Sequence, residues 1–388
     1  MSHSIYFDNS ATTPVSERAV RKALEAMTEA WGNPSSVHGK GVEAERLVTE
    51  ARTRLVRALG VKNPRMGSLF FTGSGTEADN MAITGVLQAK SFRGTPRVIA
   101  TDSEHPAVLN PLREAELRGV EVIRLGTQGG VIDLDELSDA LTPNTVLLSL
   151  MRVNNETGAI YNVKDAFALA KEKCPDIVTH CDAIQGFTKL DCDPKKLNAD
   201  LVSVSGHKIG APKGIGALWC DGTLLTKKKI TPIIFGGGQE NGYRSGTENV
   251  PGIVAFGEAA WERSETQAAD MAHVTSLREA LLMALPMGVF VNTPKEQYLP
   301  HIISLTVPGI KSEVLVRALS AEGIYLSAGS ACSSKKLKTS TALTAFGLAP
   351  EAADSTVRVS LSHRNTVEET AIFCEALRSA MARLARKR

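Results

Sequence analysis

Asp200-Leu201-Val202-Ser203-Val204-Ser205-Gly206-His207-Lys208 is an apolar, β-branched run that stops at a small polar turn carrying one lysine. A strand ending in Ser-Gly-His-Lys sets an amine, an imidazole and a hydroxyl beyond its carboxyl end, where open α/β sheets bind their ligands. Gly210, Gly214 and Gly216 follow closely, so the backbone can fold tightly around a bound group. A lone lysine is ordinarily a solvated surface charge. With these neighbours, Lys208 is a candidate for Schiff-base chemistry, which needs an amine whose charge can be removed by burial or cationic neighbours.

The same pattern extends to both sides. Short apolar runs at 69–72, 98–101, 120–125, 146–150, 177–181, 201–205 and 215–220 alternate with helical patterns. This rhythm predicts an α/β fold with a mostly parallel seven-stranded sheet covered by helices on both faces. Upstream, Ala19, Val20, Ala23, Leu24, Met27 and Trp31 share one helical face, and a second helix is expected over 42–59. After Phe256 come a long polar helix (258–285), short strands (289–291 and 302–307), then helix, strand and a last helix from Val367. The expected division is a large domain, 16–257, and a smaller α+β domain made of 1–15 plus 258–388.

Composition excludes several classes. The 388 residues are 43% hydrophobic, enough for a large core, and 44 Lys+Arg against 42 Asp+Glu leave a net charge of +2. That balance carries no electrostatic footprint for nucleic acid. Six cysteines with no C-x-x-C pair indicate neither a disulfide framework nor a zinc site, and fit a reducing compartment. No basic-then-apolar leader and no run of membrane-spanning length is present, so a cytoplasmic protein without membrane partners is expected.

Other motifs fall at strand ends. Phe70-Phe71-Thr72-Gly73-Ser74-Gly75-Thr76-Glu77-Ala78 reads as strand, Gly-rich turn and helix start, which suits phosphate binding and plain helix capping equally. It also satisfies the G-x-G-x-x-A dinucleotide fingerprint. Asp182 closes the 177–181 run with Gln185 three residues on; it reads as a helix-capping carboxylate or as the partner of a cofactor ring nitrogen. His105 follows another strand end, where an imidazole could lie over a planar ligand, move protons or be merely solvated. Asn155, in Asn154-Asn155-Glu156-Thr157-Gly158, offers an amide at the same rim. The Gly-rich segment 236–247 reads as an oxyanion or subunit-contact loop, or a mobile one. Cys332 sits among small polar residues with Lys335, Lys336 and Lys338 nearby, which favours the reactive thiolate; the other five cysteines read as packing. Arg358 alternates with Val357 and Val359, as a guanidinium held for carboxylate capture would, or one on an edge strand.

Together with Tyr6-Phe7-Asp8-Asn9-Ser10-Ala11-Thr12-Thr13-Pro14 and Gly32-Asn33-Pro34-Ser35-Ser36, these motifs resemble the NifS/IscS-like cysteine desulfurases, fold-type I pyridoxal-phosphate enzymes of the class V aminotransferase group. The resemblance implies that Lys208 forms the imine with pyridoxal 5'-phosphate, that Asp182 holds the ring-nitrogen proton, that Gln185 bonds the ring hydroxyl oxygen and that His105 stacks on the ring. Gly75, Thr76, Ser205 and His207 would hold the phosphate, with Thr247 reaching it from the partner subunit of a homodimer. Asn155 and Arg358 would bind the carboxylate of L-cysteine. Cys332 would take the substrate sulfur as a persulfide, leaving alanine, with Lys208 or His105 moving protons. No intrinsic metal is implied, although Cys332 could serve as a transient iron–sulfur ligand.

The persulfide would pass to an acceptor such as an iron–sulfur scaffold protein. The length through Ser340 is similar to the longer catalytic loop of the group serving general cluster assembly. Ala328 and Lys335-Lys336 differ from the commoner flanking residues, and the chain ends at Arg388 without the acidic-aromatic tail some relatives use to dock a scaffold. A selenocysteine lyase or an aminotransferase on the same scaffold would share most of these residues. A nucleotide-dependent dehydrogenase would leave Lys208 and Cys332 without a task, and a non-catalytic scaffold would not need all of Lys208, Asp182, His105 and Cys332.

Overall fold

The computed structural model describes residues 4–89, 94–329 and 340–385. Cys332 and the lysines beside it lie outside the described residues. All seven apolar runs are strands of one sheet, in the order Gly67–Thr72, Gly216–Asp221, Leu201–Ser205, Val178–Asp182, Thr145–Met151, Arg97–Thr101 and Glu121–Leu125. Gly216–Asp221 is antiparallel to both of its neighbours and every other pairing is parallel.

Alternation sorts this sheet's side chains into two cores. Phe71, Ile99, Leu148, Leu150, Val202, Val204 and Trp219 join one apolar cluster with helices Gly39–Ala58 and Val250–Ala284. Phe70, Val98, Ala100, Leu147, Val178, Leu201 and Leu218 join the other, under helices Gly75–Gln88 and Pro106–Leu117. Burial on both faces explains why the strands read as continuous apolar runs. The parallel strands share one carboxyl edge, and the loops leaving it carry Lys208, His105, Asn155 and Gln185.

Two helical expectations are revised. The 35-residue helix Val250–Ala284 starts well before Glu258, capped by Asn249, whose Oδ1 accepts the Gly252 N–H at 3.1 Å. In helix Glu17–Thr28 the apolar residues divide: Ala19 and Ala26 are buried, while Val20, Leu24 and Met27, with Trp31 beyond its end, are exposed. Close helix contacts favour small residues at this layer, as at Gly257, where a Cβ would come 2.6 Å from Ala51 Cα.

A second sheet is antiparallel, in the order Ser327–Ala328, Thr356–Ser360, Ile302–Thr306, Phe290–Val291. Its core, including Leu277, Leu305, Val357, Val359 and Phe373, is separate from those of the large sheet. Ile5–Tyr6 pairs with Ile324–Tyr325, and the chain then runs to Thr13, whose N–H donates to His207 O at 3.1 Å. That path lays Ser10 and Ala11 against the end of the Lys208 strand.

Candidate active site

Lys208 ends a one-turn 3-10 segment, Gly206–Lys208, directly after its strand. The half-buried side chain points back at the N-terminal segment, donating from Nζ to Ser10 O at 2.6 Å and to Ala11 O at 2.8 Å. Its charge is felt by Asp182, His105 and His207, so these four groups share one electrostatic space.

Asp182 is buried at the end of the neighbouring strand. Its Oδ1 accepts the Ile184 N–H at 2.9 Å, closing a turn; no helix follows, so the helix-capping reading is not realised. Burial nevertheless pushes its pKa up to about 6, against the opposing pull of that N–H and the Lys208 ammonium, which marks a carboxylate short of cationic partners. Gln185 is buried one turn on and donates from Nε2 to Ser10 O at 3.1 Å.

Phosphate-binding candidates gather where helix Gly75–Gln88 begins. Ser74 caps it by accepting the Glu77 N–H, leaving the amides ahead of it for an outside acceptor. A Cβ at Gly75 would fall 2.4 Å from Ile184 Cδ1 and 3.1 Å from Ser205 Cβ, so a side chain here would have to displace Ile184 and crowd Ser205. Ser205 is buried, and Thr76 is exposed at the rim. His207 is held neutral, its pKa lowered to about 4 by burial and by the charges of Lys208 and Lys213. Its buried Nδ1 has no hydrogen-bond partner among the described residues.

His105 caps helix Pro106–Leu117 through Nδ1, which accepts the Ala107 N–H at 3.1 Å. The solvated reading is thereby excluded. Burial, with the Lys208 charge, lowers its pKa to about 4, so the ring is neutral and its proton resides on Nε2.

Arg358 lies on an interior strand of the second sheet and is only 4% exposed, which disposes of the edge-strand reading. Its Nη1 donates to Asn155 O at 2.9 Å and its Nη2 to Asp8 Oδ1 at 2.9 Å and Ser327 Oγ at 3.2 Å. Asn155 and Arg358 are thus joined, and Nε is the buried guanidinium atom without a partner among the described residues. Thr247 is exposed on the Gly-rich loop, which the Arg244–Glu77 ion pair (2.8 Å) pins beside the helix start.

Sequence reasoning overlooked the groups that hold these residues. Asp8 neutralises Arg358, and Asn154, not Asn155, organises its loop by accepting from the Glu156 and Thr157 N–H groups at 2.9 Å. Glu156 accepts from Ser340 Oγ at 2.6 Å, and burial pushes its pKa up to about 7. The five remaining described cysteines are buried thiols, as expected of packing residues.

A buried carboxylate with no ion-pair contact and an imidazole nitrogen without a partner among the described residues, beside a helix start approached through glycine, fit a ring nitrogen and a phosphate held near Lys208. Fold and site define a fold-type I pyridoxal-phosphate enzyme. The family model described as aminotransferase class-V matches residues 5–373. A protein named cysteine desulfurase IscS from Methanosarcina thermophila is 39% identical over 94% of this chain and 89% of its own. Among solved structures, a NifS-like protein superposes with a TM-score of 0.90 at 34% identity, covering 99% of this chain and 100% of its own. One titled SspA in complex with cysteine gives 0.81 at 32%, covering 93% and 100%. The chain belongs to the class-V aminotransferase family, among its NifS/IscS-like cysteine desulfurases.

Proposed function

We propose that the protein removes sulfur from L-cysteine, releasing L-alanine, and carries the sulfur as a persulfide on Cys332 to an acceptor protein. The observation that carries this reading is the shared electrostatic space of Lys208, Asp182 and His105 at the carboxyl edge of the sheet. The cysteine bound by a relative of the same fold supports the substrate.

When bound, pyridoxal phosphate supplies an electron sink for the pair released as the substrate loses its Cα proton. Lys208 would hold the cofactor through its ε-amine, and that amine would take and return the proton. Asp182 keeps a proton on the ring nitrogen, and Gln185 bonds the ring oxygen. Neutral His105 would flank the cofactor, with Nε2 available to hand on a proton. Gly75, Thr76, Ser205 and His207 hold the phosphate. Asn155 and Arg358 orient the substrate carboxylate, with the Arg358 guanidinium held in place by Asp8. The Cys332 thiolate attacks the substrate sulfur: a sulfur–sulfur bond forms, the carbon–sulfur bond breaks, and its electron pair stays with the departing carbon skeleton.

The proposal includes a homodimer in which Thr247 completes the partner's phosphate site. Sedimentation at the mass of two 41.4 kDa chains tests it, and a monomer at micromolar concentration would contradict it. It also includes a cytoplasmic setting, an iron–sulfur scaffold as acceptor, and two bodies, 16–257 and 1–15 plus 258–388, supported by the separate cores. No helix among the described residues is long and apolar enough to cross a membrane. Incubation of reconstituted enzyme with cysteine and a reductant should yield sulfide and alanine in equal amounts. Alanine formation that survives Cys332→Ser would instead indicate chemistry that needs no thiol.

A further inference from the structure

Behind Asp182 lies a buried polar patch to which the reaction above gives no task. The sheet face under helix Gly75–Gln88 is apolar at Leu147, Val178 and Leu201. Two residues further along these adjacent strands, Ser149, His180 and Ser203 occupy the same face, all fully buried. His180 joins the two serines, Nδ1 to Ser149 Oγ at 2.8 Å and Nε2 to Ser203 Oγ at 2.9 Å. Asp79, from the helix above, brings Oδ1 to 3.6 Å from His180 Nε2. Glu104 enters from the side, Oε1 accepting from Thr101 Oγ1 at 2.7 Å and from the Met151 N–H at 3.0 Å.

Asp79, Glu104 and Asp182 therefore place three carboxyl groups in one buried space, where like charges cannot all ionise. The Lys208 charge acts on Asp182. Neither Asp79 nor Glu104 has an Arg or Lys ion-pair partner among the described residues, and His180 is held neutral by burial, its pKa lowered to about 3. Burial pushes the pKa of Glu104 up to about 8, and that of Asp79 well above the carboxylate range, with the Asp182 charge adding to the push. An apolar layer would fill the space at lower desolvation cost, so a polar patch here calls for a purpose.

We propose that Asp79 and Glu104 keep their protons and act as neutral positioning residues behind Asp182, confining the one negative charge of the trio to the carboxylate that faces the cofactor's ring nitrogen. The inference rests on Lys208 and Asp182 being the cofactor's residues. Neither carboxyl oxygen of Asp79 has a hydrogen-bond partner among the described residues, so an ionised carboxylate there would be buried without compensation, while a neutral His180 supplies one N–H between its two serines.

Infrared spectra of the holoenzyme test this directly. Asp79→Asn and Glu104→Gln should each delete one C=O stretching band of a protonated carboxyl group. Both amides are neutral, so the pH midpoint of the cofactor's visible absorption should stay within about 0.3 unit of wild type. Asp79→Leu, which presents no polar group to His180, should lose pyridoxal phosphate several-fold faster on dialysis, with Asp79→Asn restoring retention. Loss of no carboxyl band in Asp79→Asn, or a midpoint shift of about a full unit, would show an ionised Asp79 and overturn the inference. Wild-type protein that takes up no pyridoxal phosphate would instead overturn the functional reading beneath it.

Discussion

Lys208, Asp182 and His105 each stand at the end of a strand or the start of a helix, and each has its ionisation set by what encloses it. Glu156 shows the same physics in a residue outside the reaction. Burial raises its carboxyl to about 7 against an ordinary 4.5, with Ser340 and Arg358 opposing. A carboxyl raised in the folded state keeps its proton while the unfolded chain loses it, so its contribution to stability is present below about pH 4.5 and lost as pH rises through about 7. Glu156→Gln, neutral throughout, should therefore gain on wild type by an amount on the order of 2–3 kcal/mol between pH 4.5 and 8. Thermal unfolding of both apoproteins at pH 5 and pH 8 measures it, and a difference independent of pH would refute it. Lys208 and Asp182 were legible because an apolar run ending in a polar residue announces a strand's carboxyl end. Asp8, Asp79 and Glu156 were not, because their partners Arg358, His180 and Ser340 are remote in sequence and only folding brings them together.

At the scale of elements, short apolar runs located every strand of the large sheet, since an interior strand buried on both faces leaves an unbroken apolar signal; only the edge strand Glu121–Leu125 is partly exposed throughout most of its length. The helix Glu17–Thr28 was read less well. Its apolar residues include both the alanines that touch the core and larger side chains that do not, and hydrophobicity alone cannot separate them. The Gly-rich loop, ambiguous in sequence, is fixed by Glu240. This residue has φ 51° and a buried carboxylate that meets Arg52 through two bonds of 2.7 Å and accepts the Phe71 N–H at 2.9 Å. Removing one partner of such a pair leaves a poorly compensated charge. Glu240→Ala should cost about 3 kcal/mol of unfolding free energy and loosen the segment bearing Thr247. Denaturant unfolding gives the first quantity and proteolysis of the loop the second; an unchanged midpoint would mean that Arg52 and Glu240 do not hold the loop.

In the whole molecule, the parallel sheet supplies Lys208, Asp182 and His105, and the antiparallel sheet supplies Arg358. The short pairing of Ile5–Tyr6 with Ile324–Tyr325 brings the N-terminal segment between them, where Asp8 meets Arg358 and Ser10 meets Lys208. A site assembled from both sheets explains why no single motif sufficed to identify the chemistry, while their order along the chain did. The central claim is that the amine at the end of strand Leu201–Ser205 carries the cofactor. Borohydride reduction of the reconstituted protein, followed by peptide mass mapping, should place one pyridoxyl group per chain on Lys208. A pyridoxyl group on any other lysine, or on none, would contradict it.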